Sequence, residues 1–147
     1  MKLTENFSFE EFCNTDKTEF QAQNLLQGEA FKNNMTLVCL ELEKLRAFMF
    51  RPIYINSGFR CPELNKAVGG TLTSQHTTGG AADFVVKDFQ DLSGLNFIFD
   101  WCSNHFNYGQ LIFETPPNKS PWIHFGIPRE GREKTRFIYE NGVYKPI

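Results

Sequence analysis

Phe31, Met35, Val38, Leu42, Leu45 and Met49 recur at alternating spacings of four and three, while Lys32, Asn33, Glu41, Glu43, Lys44 and Arg46 fall mostly off that stripe. This pattern predicts a core-facing helix ended by Pro52. Leu92, Leu95, Phe99, Cys102 and Phe106 form a second helical stripe, with Asp91 or Ser93 near its start. Ahead of both, Ser8 and Glu11 have the spacing of a capping box and Phe7 and Phe12 that of a hydrophobic staple, so a short N-terminal helix is expected.

Between and after the helices the pattern changes period. Ile53-Tyr54-Ile55 follows a proline and precedes the turn-prone Asn56-Ser57-Gly58, which reads as a strand. Ala81 to Val86, Gln110 to Glu114 and Trp122 to Ile127 read the same way, the last two joined through a proline-rich loop into a hairpin. Phe137 to Glu140 and Val143 to Lys145 surround Asn141-Gly142, a strong signal for a second hairpin. The stretch from Arg60 to Gly80, rich in Gly, Thr, Ser, Gln and His, reads as surface or site loop. The sum is an α+β fold, a small antiparallel sheet with helices packed on one side, over a single domain spanning 1–147.

Composition narrows the function. The 147 residues are 41% hydrophobic, 22% charged and 15% aromatic, with sixteen Phe, so the chain is expected to fold around large rings. A formal charge of -2 supplies no basic footprint for nucleic-acid phosphates or an anionic membrane. Cys13, Cys39, Cys61 and Cys102 are widely spaced without a C-x-x-C pair, so reduced structural thiols are expected. The opening residues lack the apolar run of a signal peptide, and synthesis in the cytoplasm is the expectation. A monomer is expected.

Chemistry-bearing residues concentrate on three segments. In Ser74-Gln-His76-Thr-Thr-Gly-Gly-Ala-Ala-Asp83 a His leaves a glycine-turned loop, and Asp83 points away from the face of Ala82, Phe84 and Val86. In Trp122-Ile-His124-Phe-Gly-Ile the apolar Ile123, Phe125 and Ile127 form the buried face, leaving His124 and Trp122 on the other. Two His and one carboxylate from separated segments match an open, catalytic three-ligand zinc site. Hairpin geometry puts Glu114 on the face of His124, within roughly 5–8 Å, where a general base for hydrolysis is needed. Trp122 is the ring expected to line a cleft. His105, near the end of the second long helix, neighbours no motif and reads as structural.

Ser57-Gly-Phe-Arg60, Cys61-Pro-Glu-Leu-Asn-Lys-Ala-Val-Gly-Gly70, the S-x-H-x-x-G-x-A-x-D element from Ser74 to Asp83, and Trp122-Ile-His124 together resemble the zinc D-Ala-D-Ala carboxypeptidase family. That family includes phage L-alanyl-D-glutamate endopeptidases and shares its metal site with the hedgehog signalling domain. The opening from Leu3 to Phe12 is similar to the short helix preceding the catalytic core in phage and prophage members. The resemblance implies a hedgehog/D-Ala-D-Ala peptidase-like fold, zinc ligands His76, Asp83 and His124, and an arginine, Arg60, that contacts substrate or the developing oxyanion. It gives Ser74 either a substrate contact or a loop hydrogen bond.

Where several members carry an acid or His just before the last ligand, this chain has Pro121 and Trp122. Gln110-Leu-Ile-Phe-Glu114 resembles a strand of the phage-like branch, which leaves Glu114 as the base. That branch commonly has Asp where this chain has Gly109.

The activity implied is zinc-dependent hydrolysis of amide bonds in the peptide stem of bacterial peptidoglycan, carboxypeptidase-like or endolysin-like, on the cell wall after release or delivery. A zinc-stabilised binding or virion module without turnover is the alternative.

Overall fold

The structure, a computed structural model, describes residues 1–147. The first helix, α1 (Phe9–Phe12), starts at the expected capping box: Ser8 Oγ accepts from Glu11 N–H, and the Glu11 carboxylate accepts from Ser8 N–H. Phe7, Phe9 and Phe12 are buried below it. Burial of each such ring contributes roughly 1.5–3 kcal/mol, more than a four-residue helix could supply by itself. Helix α2 (Gln21–Gly28) follows a short 3₁₀ turn and leads through another into α3 (Lys32–Met49).

Helix α3 buries Met35, Val38, Cys39, Leu42 and Leu45, the expected stripe. It does not run to Pro52. Phe50 takes a left-handed conformation at φ 53 and its N–H returns to Arg46 C=O, so the chain turns out of the helix before the proline is reached. The second long helix, α5 (Leu92–His105), is capped by Asp91, whose side chain accepts from Gly94 N–H. Between them, the expected loop after Arg60 contains a further short helix, α4 (Pro62–Ala67), with Pro62 at its first position.

Strands β1 (Ile53–Ser57), β2 (Ala81–Val86), β3 (Gln110–Thr115), β4 (Trp122–Gly126), β5 (Thr135–Glu140) and β6 (Val143–Pro146) form one sheet in the order β1-β2-β4-β3-β5-β6. Four neighbouring pairs are antiparallel and β3·β5 is parallel, so the sheet is mixed rather than antiparallel throughout. The reason lies in the connection. Strand β4 ends beside the start of β3, the chain passes that end through residues 127–134, and β5 begins on the far side with Thr135 opposite Gln110. No helical crossover is required, because β4 already supplies the return. Gly109 sits under this passage. A Cβ there would stand 2.6 Å from Ile127 C=O and 2.8 Å from Pro128 Cα, which leaves no room for an acidic side chain at this position.

One apolar cluster of 27 buried residues joins α1, α3 and α5 to a single face of the sheet, on which Ala82, Phe84, Leu111, Phe113, Ile123 and Phe125 lie. All four cysteines are buried and free. Burial pushes the Cys13 thiol up to about 12 and raises the other three, which makes them poor nucleophiles. The opposite face of the sheet carries the polar residues of β2, β3 and β4; the 3₁₀ turn at Gln75–Thr78 packs against β2, and α4 packs against that turn.

Candidate metal centre and cleft

The alternation that buries Ala82, Phe84, Ile123 and Phe125 turns Asp83 and His124 to the opposite face, and the β2·β4 register sets them directly opposite each other. His124 Nδ1 lies 2.8 Å from Asp83 Oδ1. His76 arrives from the 3₁₀ turn above the sheet, with Nε2 at 3.3 Å from the same carboxylate oxygen and its ring centroid 5.2 Å from that of His124. One ligand atom from each of the three residues lies within 4.8 Å of the others, so the group could hold a metal ion.

The second nitrogen of each imidazole is engaged elsewhere. His76 Nδ1 is 2.6 Å from Gly58 C=O, and His124 Nε2 is 3.1 Å from Gln110 Oε1. A carbonyl oxygen can only accept, so the facing nitrogen donates, and His76 Nε2 and His124 Nδ1 are the ring atoms left to serve as ligands. Both of these nitrogens face Asp83 Oδ1. Two imidazoles and one carboxylate, the rings each oriented by a second partner, match the donor set of a zinc or similar divalent site.

The charge states agree with that assignment. Burial by itself would raise the Asp83 carboxyl, but the two imidazoles beside it, His76 foremost, outweigh that and hold Asp83 well below the usual carboxylate range. Burial pushes His76 downward toward its neutral form. The acid is ionised and the first imidazole is neutral, as metal binding requires.

Gly58 reaches His76 because its backbone lies against α1. A Cβ at Gly58 would stand 2.2 Å from Phe12 C=O, so only glycine permits the approach. The backbone two residues on is fixed from both sides: Asn24 of α2, fully buried, donates to Cys13 C=O and Phe59 C=O and accepts from Cys61 N–H. Between those bonds sits Arg60, whose own N–H donates to His76 C=O at 3.0 Å. Its guanidinium meets Ser74 Oγ at 3.4 Å while Nε is buried without a partner. Ser74 itself caps the His76 turn, accepting from His76 N–H at 3.3 Å, so the loop hydrogen bond left open by the sequence is present.

Glu114 pairs with Trp122 across β3·β4, two pairs along from Ile112 and His124, on the shared face that hairpin geometry predicts. It is buried, and burial raises its pKa above the ordinary carboxylate value. The Tyr144 hydroxyl approaches Glu114 Oε1 at 3.4 Å. Phe137, Tyr139 and Tyr144 extend the wall, so the C-terminal hairpin forms one side of a cleft of about 880 Å³ that also includes Arg60, Ser74, His76, Asp83, Trp122 and His124. His105 is elsewhere, at the end of α5, with its ring stacked on Trp101.

Gln110, Asn24 and the two tyrosines make contacts at the site that the sequence patterns did not single out. Gln110 had a usable signal, since it shares the strand parity of Glu114 and lies diagonal to His124. Replacing Gln110 with Leu removes the acceptor for His124 Nε2–H and frees the ring to flip or change tautomer. Metal affinity is expected to fall by about 10–100-fold, read by chelator competition, while thermal stability of the metal-free protein changes little.

The match of this chain to known families is consistent with this geometry. A sequence model described as peptidase M15 matches residues 6–113, a stretch that holds Arg60, Ser74, His76 and Asp83, whereas Glu114, Trp122 and His124 follow it. No curated protein matches the chain.

Proposed function

The chain belongs to the peptidase M15 family, and on that premise we propose that it is a zinc-dependent peptidase acting on the peptide stems of bacterial peptidoglycan, of phage or prophage type, with residues 1–147 as one catalytic domain. The observation that carries this reading is the convergence of His76 Nε2, Asp83 Oδ1 and His124 Nδ1 beside Glu114 within one cleft. His76, Asp83 and His124 would hold the zinc. When bound, zinc supplies a Lewis acid that acidifies water and polarises a carbonyl.

The chain's own groups supply the rest. Glu114 takes a proton from the attacking water and later returns one to the leaving amine; its raised pKa brings it closer to the range in which one group can do both. Arg60, without a carboxylate partner, directs its guanidinium into the cleft toward charge developing on the carbonyl oxygen. Trp122 and Ser74 line the path of the substrate. The resemblance of Leu3 to Phe12 to phage and prophage members supports delivery to the wall after synthesis in the cytoplasm.

The test is zinc stoichiometry together with release of new amino groups from purified peptidoglycan. Wild type is expected to bind one zinc and release amines, and His76→Ala to do neither. Full zinc occupancy with no release from any wall type would overturn the proposal.

A further inference from the structure

The cleft does not end at the metal centre. A second cavity of about 430 Å³ opens beside it, bounded by Asn14, Thr15 and Asp16 ahead of α2, by Asn56 and Ser57 of β1, and by Ser120. The two cavities share Arg60, Val68, Asp83, Lys119 and Trp122 as common walls, and neither is enclosed. The candidate reaction centre therefore lies at a junction with open space on both sides. Both volumes are within the ~300–1,000 Å³ of ordinary ligand pockets, so each side has room for more than a single small residue.

The charges indicate what can continue into the smaller cavity. A site that removes the last residue of a chain gains from a cation at its blind end, to hold the free carboxylate. Here the cations bordering the smaller cavity, Arg60 and Lys119, stand at the junction, while Asp16 lies among its amide and hydroxyl groups. Asp16 repels a terminal carboxylate and accepts an amide-linked or amine-bearing continuation.

We infer that this site cuts internal bonds of a peptide lying across both cavities, and that it is not built to trim a free C-terminal residue. The inference rests on the peptidase reading above and adds the substrate class to it.

Two defined substrates separate the possibilities, each incubated with the zinc-loaded protein and followed by mass spectrometry. One is a free stem pentapeptide ending in D-Ala-D-Ala; the other is a cross-linked muropeptide in which chain continues on both sides of the bonds within the bridge. Cleavage inside the cross-linked substrate with kcat/KM at least about tenfold above loss of terminal D-Ala is expected. Terminal release that equals or exceeds internal cleavage overturns the inference and leaves the peptidase standing. No product from either substrate at full zinc occupancy overturns the peptidase reading itself, and this inference with it.

Filling the smaller cavity supplies an independent readout. Asn56 is an exposed β1 residue, so Asn56→Trp is expected to keep zinc stoichiometry and raise KM for the cross-linked substrate about tenfold. An unchanged KM in a folded, zinc-loaded variant also overturns the inference.

Discussion

Exchange of Glu114 for Gln is expected to lower kcat on purified peptidoglycan by about 10²–10⁴-fold while zinc stoichiometry stays at the wild-type value. The expectation follows from the ladder. Glu114 is one same-face position beyond Ile112, the residue opposite His124, so its carboxyl stands beside the ligand set without belonging to it. Burial favours its protonated form, so the carboxylate has an enhanced hold on a proton taken from water. Gln keeps the shape and can still accept from the Tyr144 hydroxyl, but it cannot take a proton, so the loss falls on turnover rather than on folding. Undiminished kcat in a zinc-loaded Glu114→Gln protein would transfer the base to another group.

Asp83→Ala is expected to abolish stoichiometric zinc binding and bring amine release down to the background of the buffer. Both imidazoles direct a ring nitrogen toward this one carboxylate, and its removal takes away the charged member of the proposed donor set. The accompanying effect is on stability. Zinc at about 100 times its Kd adds about 2.7 kcal/mol to a protein that binds it only when folded. Wild type should therefore melt higher with zinc than with a chelator, and Asp83→Ala should melt at the same temperature in both. A zinc-dependent shift retained in the variant would mean that the ion binds elsewhere.

The parts of the fold that sequence pattern revealed are those whose buried face is apolar. The stripe of α3 and the alternation of β2 and β4 announce both their period and their inward side, and from these Asp83 and His124 could be assigned to one face. Helix α2 is different, because its buried residues are Asn24 and Gly28 and its anchoring is by hydrogen bonds; hydrophobic periodicity has nothing to detect there. Helix α4 did carry a signal, Pro62 at its first turn, but the polar run that follows concealed it. The parallel placement of β5 depends on which side of β3 the chain passes, and strand propensity is silent on that. Within the site, the three candidate ligands that the fold brings together were legible from residue type and spacing. The supporting contacts from Gly58 C=O, Gln110 and Tyr144 depend on three-dimensional approach between distant segments.

Asn24 ties these levels together. Its amide holds the backbone on both sides of Arg60, and Gly58, which orients the first imidazole, lies just before the residue it grips. Loop 58–60 is therefore anchored at its centre by Asn24, with Gly58 C=O on the His76 ring at one end and the Arg60 guanidinium in the cleft at the other. On the proposed function, the ion and the peptide would be met from the two ends of one three-residue loop, tied down by a side chain that touches neither.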